Sequence, residues 1–151
     1  MECSSFLASS AFSDPARHGR GFAARLSGST AEFMTIWFLM FVGPEPFYLN
    51  KRGELEMQLV PALPSWLFED EEYEGTRDDD GSLTVSFKLF SSILVTYHNP
   101  DGGDLFGVNP EGYKVTMKDG SKVHIKGPSL PMELAADIRK VSIVDSIDVY
   151  F

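Results

Sequence analysis

The feature that most constrains the fold is an apolar segment at residues 33–42 with a clear start and a clear end. Ser29 and Glu32 form a capping-box pair, in which each side chain can bond the other residue's backbone amide in the first turn of a helix. Gly43 suits the left-handed position after a helix, and Pro44 cannot continue one. The sequence therefore predicts a helix that ends at Gly43.

This helix is apolar nearly all round rather than along one stripe. Residues 31–42 read AEFMTIWFLMFV, in which apolar side chains recur at almost every position. A helix of that kind has to be buried on every side, and the rest of a 151-residue chain looks too small to bury it. The apolar segment, ten residues that include Thr35, is also too short for a membrane span, which needs about 18 or more. We infer that the helix evolved inside something larger.

After Gly43 the hydrophobic pattern changes from helical to a period of two, which predicts antiparallel strands. Asp119 and Gly120 mark a tight hairpin between two such strands. Residues 131–139 predict a short helix with proline in its first turn. We expect a mainly β fold, with a first domain at residues 1–43 and an antiparallel β-sandwich domain at residues 44–151.

The net charge of −9 is concentrated in one short segment. Residues 69–80, EDEEYEGTRDDD, contain eight acids and one base. Carboxylates this dense repel one another and lack the ordered ligand spacing of a calcium loop, so a solvated loop is the expected structure. An acidic chain of this kind has no general affinity for nucleic acid or for anionic membranes.

Few residues have the spacing of a catalytic or metal site. The single cysteine, Cys3, excludes internal disulfides and multi-cysteine zinc sites. His18, His98 and His124 are far apart; we expect His98 to serve a turn and His124 to be an ordinary strand side chain, while the loop of His18 could line a site. The N-terminus has no basic, uninterrupted signal sequence, so we expect a soluble, cytoplasmic protein.

The best candidate site is the approach to the helix, RLSGST at residues 25–30. A helix N-terminus presents unpaired amides and a partial positive charge, which together favour an anion. Gly28 lets the backbone approach a ligand closely, and Arg25 and nearby hydroxyls add donors. The alternative is that these residues only cap the helix, as such residues do in many proteins.

The order of several short motifs resembles the C-terminal end of the inverting glycoside phosphorylases of glycoside hydrolase family 94, the group of cellobiose and β-1,2-oligoglucan phosphorylases. The similar motifs, in chain order, are FLA at residues 6–8, HGRGF at 18–22, SGSTA at 27–31, GEL at 53–55, PALPSW at 61–66 and HNP at 98–100. The resemblance covers most of the chain, and its weight lies in order and spacing.

The resemblance implies that residues 1–43 are the end of a helical (α/α)6 catalytic barrel and that residues 44–151 are its C-terminal β domain. It assigns Ser27 and Gly28 to binding of the inorganic phosphate that attacks the anomeric carbon. No cofactor is implied, because phosphate is a substrate. Glu32 stands where the cellobiose type has an aromatic residue, so sugar preference does not transfer.

The family's general acid, an aspartate upstream in the barrel, has no counterpart in these residues. We therefore expect a C-terminal fragment that is inactive alone, from an enzyme that acts on β-glucan oligosaccharides, phosphate and sugar 1-phosphates. Self-association through the apolar helix is a further expectation. Two alternatives stay open: a purely structural domain, and a non-catalytic β-sandwich module that binds carbohydrate or protein. A carbohydrate-binding module needs an exposed aromatic platform, for which the candidates are Trp66, Tyr73, Tyr97 and Tyr113.

Overall fold

The computed structural model describes residues 6–22, 28–68 and 81–151. The chain divides into two compact units, Met1–Trp37 and Phe38–Phe151. The division falls within the apolar helix, and the predicted domain boundary after residue 43 stays a prediction. Ser27 and the acidic segment at residues 69–80 lie outside the described residues.

In the first unit, strand β1 (Phe6–Leu7) pairs antiparallel with β2 (Gly21–Phe22). The intervening chain contains one 3₁₀ turn, Pro15–Arg17. Asp14 organises this turn, because one carboxylate oxygen accepts a bond from the Ala16 amide and the other lies 3.1 Å from the Arg17 Nε. A side-chain cap of this kind satisfies a backbone donor that the turn leaves unpaired.

Helix α1 spans Gly28–Phe41 and so begins slightly before the predicted cap at Ser29, within the usual uncertainty of a helix end. Its predicted end is confirmed. Gly43 has φ of +99°, and its amide donates to the Phe38 carbonyl at 3.2 Å. A β-carbon at Gly43 would lie 2.6 Å from the Val60 carbonyl oxygen. Glycine is therefore required both by the left-handed conformation and by the close approach of a neighbouring segment.

The second unit is built on a five-stranded sheet. Its strands are β6 (Leu83–Leu89), β7 (Ile93–Asn99), β9 (Gly112–Met117), β10 (Lys122–Lys126) and β11 (Val144–Tyr150), with helix α2 (Met132–Lys140) before the last strand. The spatial order is β10-β9-β11-β7-β6. Four short strands form two separate ribbons, in which β3 (Phe47–Leu49) pairs with β4 (Leu55–Met57) and β5 (Ala62–Leu63) with β8 (Leu105–Phe106).

The mainly β prediction is confirmed, as are the hairpin at Asp119-Gly120 and the short helix after Pro131. The prediction of purely antiparallel pairing is wrong for one pair, because β11 runs parallel to β7. Helix α2 returns the chain across the sheet, so the last strand inserts between β9 and β7 instead of adding to an edge. The sandwich is not confirmed, since the described strands form one large sheet and several two-stranded ones.

One face of the large sheet is the core. Val95, Val115 and Ile147 on three adjacent strands are fully buried there. Helix α2 contributes Leu134, Ala135 and Ile138 to the buried set. Tyr113 joins the sheet to the segments after β4 and β10, because its hydroxyl accepts from the Leu59 amide at 3.3 Å and donates to the Pro128 carbonyl at 2.8 Å. Burial raises the pKa of this phenol.

The central position of β11 makes a direct prediction about stability. Ile147→Ala should lower the free energy of unfolding by about 2 to 5 kcal/mol, because it removes fully buried methyl groups and leaves a cavity. Ile143→Ala is the matched control, since Ile143 is about half exposed just before the strand, and it should change stability by less than about 0.5 kcal/mol. Urea unfolding followed by circular dichroism measures both. Equal losses in the two variants would contradict the assigned position of β11.

Candidate functional site: the polar face of the sheet

The face of the sheet opposite the core is almost entirely polar. Strand alternation and register place fifteen residues on it, in three rows that cross the five strands. The rows are Thr84, His98, Tyr150, Gly112 and Lys126; Ser86, Thr96, Asp148, Lys114 and His124; and Lys88, Leu94, Ser146, Thr116 and Lys122. We call this set the polar face. Leu94 is its one aliphatic member.

Asp148 lies at the centre of the polar face and binds two basic groups. One carboxylate oxygen is 3.0 Å from the His98 Nε2, and the other is 2.9 Å from the Lys114 Nζ. Because a carboxylate only accepts hydrogen bonds, the His98 Nε2 carries the hydrogen of that bond. The arrangement follows from pairing, since Lys114 is directly opposite Asp148 on β9 and His98 is on the parallel neighbour β7.

In the triad of His98, Lys114 and Asp148, hydrogen bonds outweigh partial burial in setting the pKa values of Asp148 and Lys114. Desolvation alone would raise the pKa of Asp148, but the hydrogen bonds from Lys114 and His98 outweigh it and hold that pKa below its usual value. The same bond to Asp148 raises the pKa of Lys114. Both groups are therefore charged at neutral pH, and the charge of Lys114 is largely balanced by its partner.

Tyr150 covers one side of the triad. Its ring stacks on the His98 ring with a centroid distance of 4.6 Å and an interplanar angle of 17°. His98 is almost completely buried beside this contact, whereas Tyr150 itself stays half-buried. The stack and the bond to Asp148 together fix the orientation of the imidazole.

A shallow cleft of about 300 Å³ lies beside Tyr150, above Gly112. Gly112 is paired with Tyr150 on one side and with Lys126 on the other, so its missing side chain leaves a gap between two long ones. His124 and Glu111 complete the polar lining. A β-carbon at Gly112 would lie 2.9 Å from the Ile125 carbonyl oxygen, which keeps this position free of a side chain. The groups around the cleft can hold a small ligand by charge-assisted and neutral hydrogen bonds.

The residues singled out from sequence do not converge on this face, apart from two of the three histidines. Gly28 is the first residue of α1, and Ser27 lies outside the described residues, as does Arg25. His18 donates a hydrogen bond within its own loop, from Nε2 to the Phe12 carbonyl oxygen at 2.7 Å. None of these observations tests the predicted phosphate loop.

The turn role predicted for His98 is wrong. His98 is the last residue but one of β7, and its ring stacks on Tyr150 and bonds Asp148 on the polar face. The strand role predicted for His124 is confirmed, since it is an exposed residue of β10. Alternation along β7 and β11 places His98, Asp148 and Tyr150 on the same face. The register that brings them together is a long-range property that local sequence does not contain.

The candidates for an aromatic binding platform are now separated by burial. Tyr97 and Tyr113 are buried in the core, which excludes them as platforms. Trp66 is 63% exposed in a 3₁₀ turn, Ser65–Leu67. Tyr73 lies outside the described residues. Tyr150, the half-exposed aromatic residue of the polar face, was not among these candidates.

Within residues 6–22, 28–68 and 81–151, no three side chains of the His, Cys, Asp and Glu types come together as a metal-ion site would require. Over the same part of the chain, no helix has both the length and the apolar character needed to cross a bilayer.

The triad makes stability depend on pH in a defined direction. The pKa of Asp148 is lower in the folded chain than in the unfolded one, so its stabilising contribution is present above the unfolded value, about 4, and is lost as the pH falls through the folded value. Asp148→Asn should lower the free energy of unfolding by about 1 to 2 kcal/mol at pH 7, because Lys114 loses its partner.

Urea unfolding at several pH values between 7 and 3 measures this effect, and the difference between wild type and Asp148→Asn should shrink towards the acid end. Asp145→Asn is the matched control, because Asp145 is exposed on the same strand. A control that matched Asp148→Asn in both size and pH dependence would contradict the role given to the triad.

Comparison with known proteins assigns no family to this chain. No protein-family model matches it, and no curated protein does so either. What the chain does therefore has to be inferred from its own residues and geometry.

Proposed function

We propose that this chain forms the last barrel helix and the C-terminal β domain of an inverting glycoside phosphorylase that acts on β-glucan oligosaccharides in the cytoplasm. The motif order that resembles glycoside hydrolase family 94 suggests the reaction. The observation that carries the proposal is the exposure of helix α1, which calls for covering partners of the kind that a helical barrel provides.

Helix α1 exposes large apolar side chains that a helix normally buries. Phe33, Met34 and Ile36 are 66%, 60% and 55% exposed, and Phe38 and Leu39 are also exposed. Successive residues of an α-helix are about 100° apart, so these five positions surround the helix axis instead of forming one stripe. Burying one such side chain stabilises a protein by about 1.5 to 3 kcal/mol. The arrangement therefore fits a helix surrounded by others, as in the last position of an (α/α)6 barrel.

The proposed phosphate site lies where α1 begins. Gly28 is its first residue, and the unpaired amides and partial positive charge of a helix N-terminus favour an anion there. By resemblance, Ser27 adds a hydroxyl donor. In the proposed reaction a phosphate oxygen attacks the anomeric carbon, and the glycosidic carbon–oxygen bond breaks. A general acid protonates the leaving oxygen, and the sugar 1-phosphate forms with inversion.

The proposed general acid belongs to the upstream part of the barrel, so the isolated chain supplies only part of the phosphate clamp. We expect no phosphate release when the chain is incubated with glucose 1-phosphate and a β-glucan acceptor. A steady release that scales with protein concentration, and that survives further purification, would overturn the assignment of the general acid to another part of the enzyme.

Phosphate binding itself is tested by amide NMR of the full chain. Inorganic phosphate should shift the amides of Ser27 and Gly28 in a saturable manner, because they are the proposed donors. Ser27→Ala should weaken binding by about three- to ten-fold, the usual loss for one neutral hydrogen bond, and Ser27→Thr should restore it. Unchanged Ser27 and Gly28 amides at high phosphate would favour a helix cap without a ligand.

The exposure of α1 predicts self-association in the absence of a barrel. The chain should form concentration-dependent oligomers in light scattering and should bind a hydrophobic dye, because its exposed apolar surface is otherwise in water. Phe33→Glu combined with Ile36→Glu should suppress both effects. Phe106→Glu is the matched control, since Phe106 is an exposed aromatic residue of β8. A monomeric wild-type chain that binds no dye would remove the main support for a covering partner.

A further inference from the structure

The polar face has the opposite charge to the protein that carries it. It contains four lysines (Lys88, Lys114, Lys122 and Lys126) and one acid (Asp148), a net charge of +3 in a chain whose net charge is −9. Six of its fifteen residues carry hydroxyl groups. A basic, hydroxyl-rich surface on an acidic protein attracts anions locally while the rest of the molecule repels them.

Most of the positive charge that is available to a ligand lies on β10. Lys114 is engaged by Asp148 at 2.9 Å. Lys122 and Lys126, by contrast, form no ion pair with any acid in the described parts of the chain, and both are exposed. His124 lies between them on the same strand. Lys126 and His124 both line the cleft above Gly112.

The lining of the cleft combines two kinds of polar group. Lys126 and His124 provide donors, and Glu111 supplies a carboxylate acceptor. The Tyr150 ring forms a half-exposed apolar wall that is held in place by its stack on His98. At about 300 Å³ the cleft is at the lower limit of small-ligand sites, which suits one ring rather than a long chain.

We propose that this cleft binds a sugar ring that carries one anionic group, such as a sugar phosphate or a uronic acid. Lys126, assisted by His124, binds the anionic group, Tyr150 packs against the C–H face of the ring, and Glu111 accepts bonds from ring hydroxyls. Glu111 also repels a second negative charge, which disfavours polyanions such as acidic peptides or nucleic acids. This inference concerns the β domain alone and does not depend on the role proposed for Ser27 and Gly28.

The test is a set of NMR titrations of the full chain with four probes: glucose 1-phosphate, glucuronate, methyl β-glucoside and inorganic phosphate. The two anionic sugars should produce saturable shifts at the amides of residues 111–113 and 124–126. They should bind more tightly than both the neutral glucoside and phosphate alone, because only they engage Lys126 and Tyr150 together. Amide shifts at Ser27 and Gly28 are read in the same spectra, so failure of one site is distinguishable from failure of the other.

Variants locate the site on the polar face. Lys126→Gln should weaken binding of glucuronate by about ten-fold, the usual order for loss of a charge-assisted hydrogen bond. Lys88→Gln is the matched control: it removes the same charge from the same face on β6, the edge strand opposite β10, and should change affinity by less than about two-fold. Tyr150→Leu should weaken both anionic sugars but leave the response to inorganic phosphate unchanged.

Three results would overturn the proposal. Equal affinity for inorganic phosphate and glucose 1-phosphate would show an anion site without sugar recognition. Equal losses in Lys126→Gln and Lys88→Gln would show a diffuse basic surface, as for an acidic protein partner, and a polyglutamate peptide should then compete. Absence of shifts at residues 111–126 with any probe, in a chain whose spectrum is well dispersed, would show that the cleft binds none of these ligands.

Discussion

The insertion of β11 between β9 and β7 is the constraint on which the rest of the second unit depends. A strand in the middle of a sheet bonds on both sides, and here one neighbour is antiparallel and the other parallel. This position buries Ile147 and Val149 on the core side. It also brings Asp148, on the other side, between a histidine of one neighbour and a lysine of the other. Core and candidate site are thus two consequences of one pairing.

The two faces of the sheet carry different kinds of side chain, because side chains alternate along each strand. The core face holds Tyr97 and Tyr113, whose hydroxyls bond backbone groups of the segments that pack against it. The polar face instead presents lysines, hydroxyls and a cleft. Local features of the chain specify which residues share a face, whereas the cleft exists only because Gly112 lies between two long side chains on adjacent strands.

Helix α1 and the sheet show how far sequence reasoning extends. The end of α1 at Gly43, the hairpin at Asp119-Gly120 and the helix after Pro131 all depend on neighbouring residues, and all are confirmed. The parallel pair was not predicted. After the edge strand β10, helix α2 returns the chain across the sheet, so β11 lies between β9 and β7, and no local pattern encodes that path. The composition of α1 predicts a buried helix, but its apolar side chains are exposed in this chain. Their burial therefore requires partners that this chain does not supply.

Local sequence was enough to specify both helices, the five strands of the large sheet with their apolar sides, and the need of α1 for covering partners. These are decided by capping, turn chemistry and periodicity, which act over a few residues. Only the tertiary structure decided that His98, Lys114 and Asp148 meet, that Tyr150 stacks on His98, and that a basic cleft opens above Gly112. The physical reason is register: residues about 50 positions apart become neighbours only when strands pair, and a shift of one residue would reverse the face of every side chain.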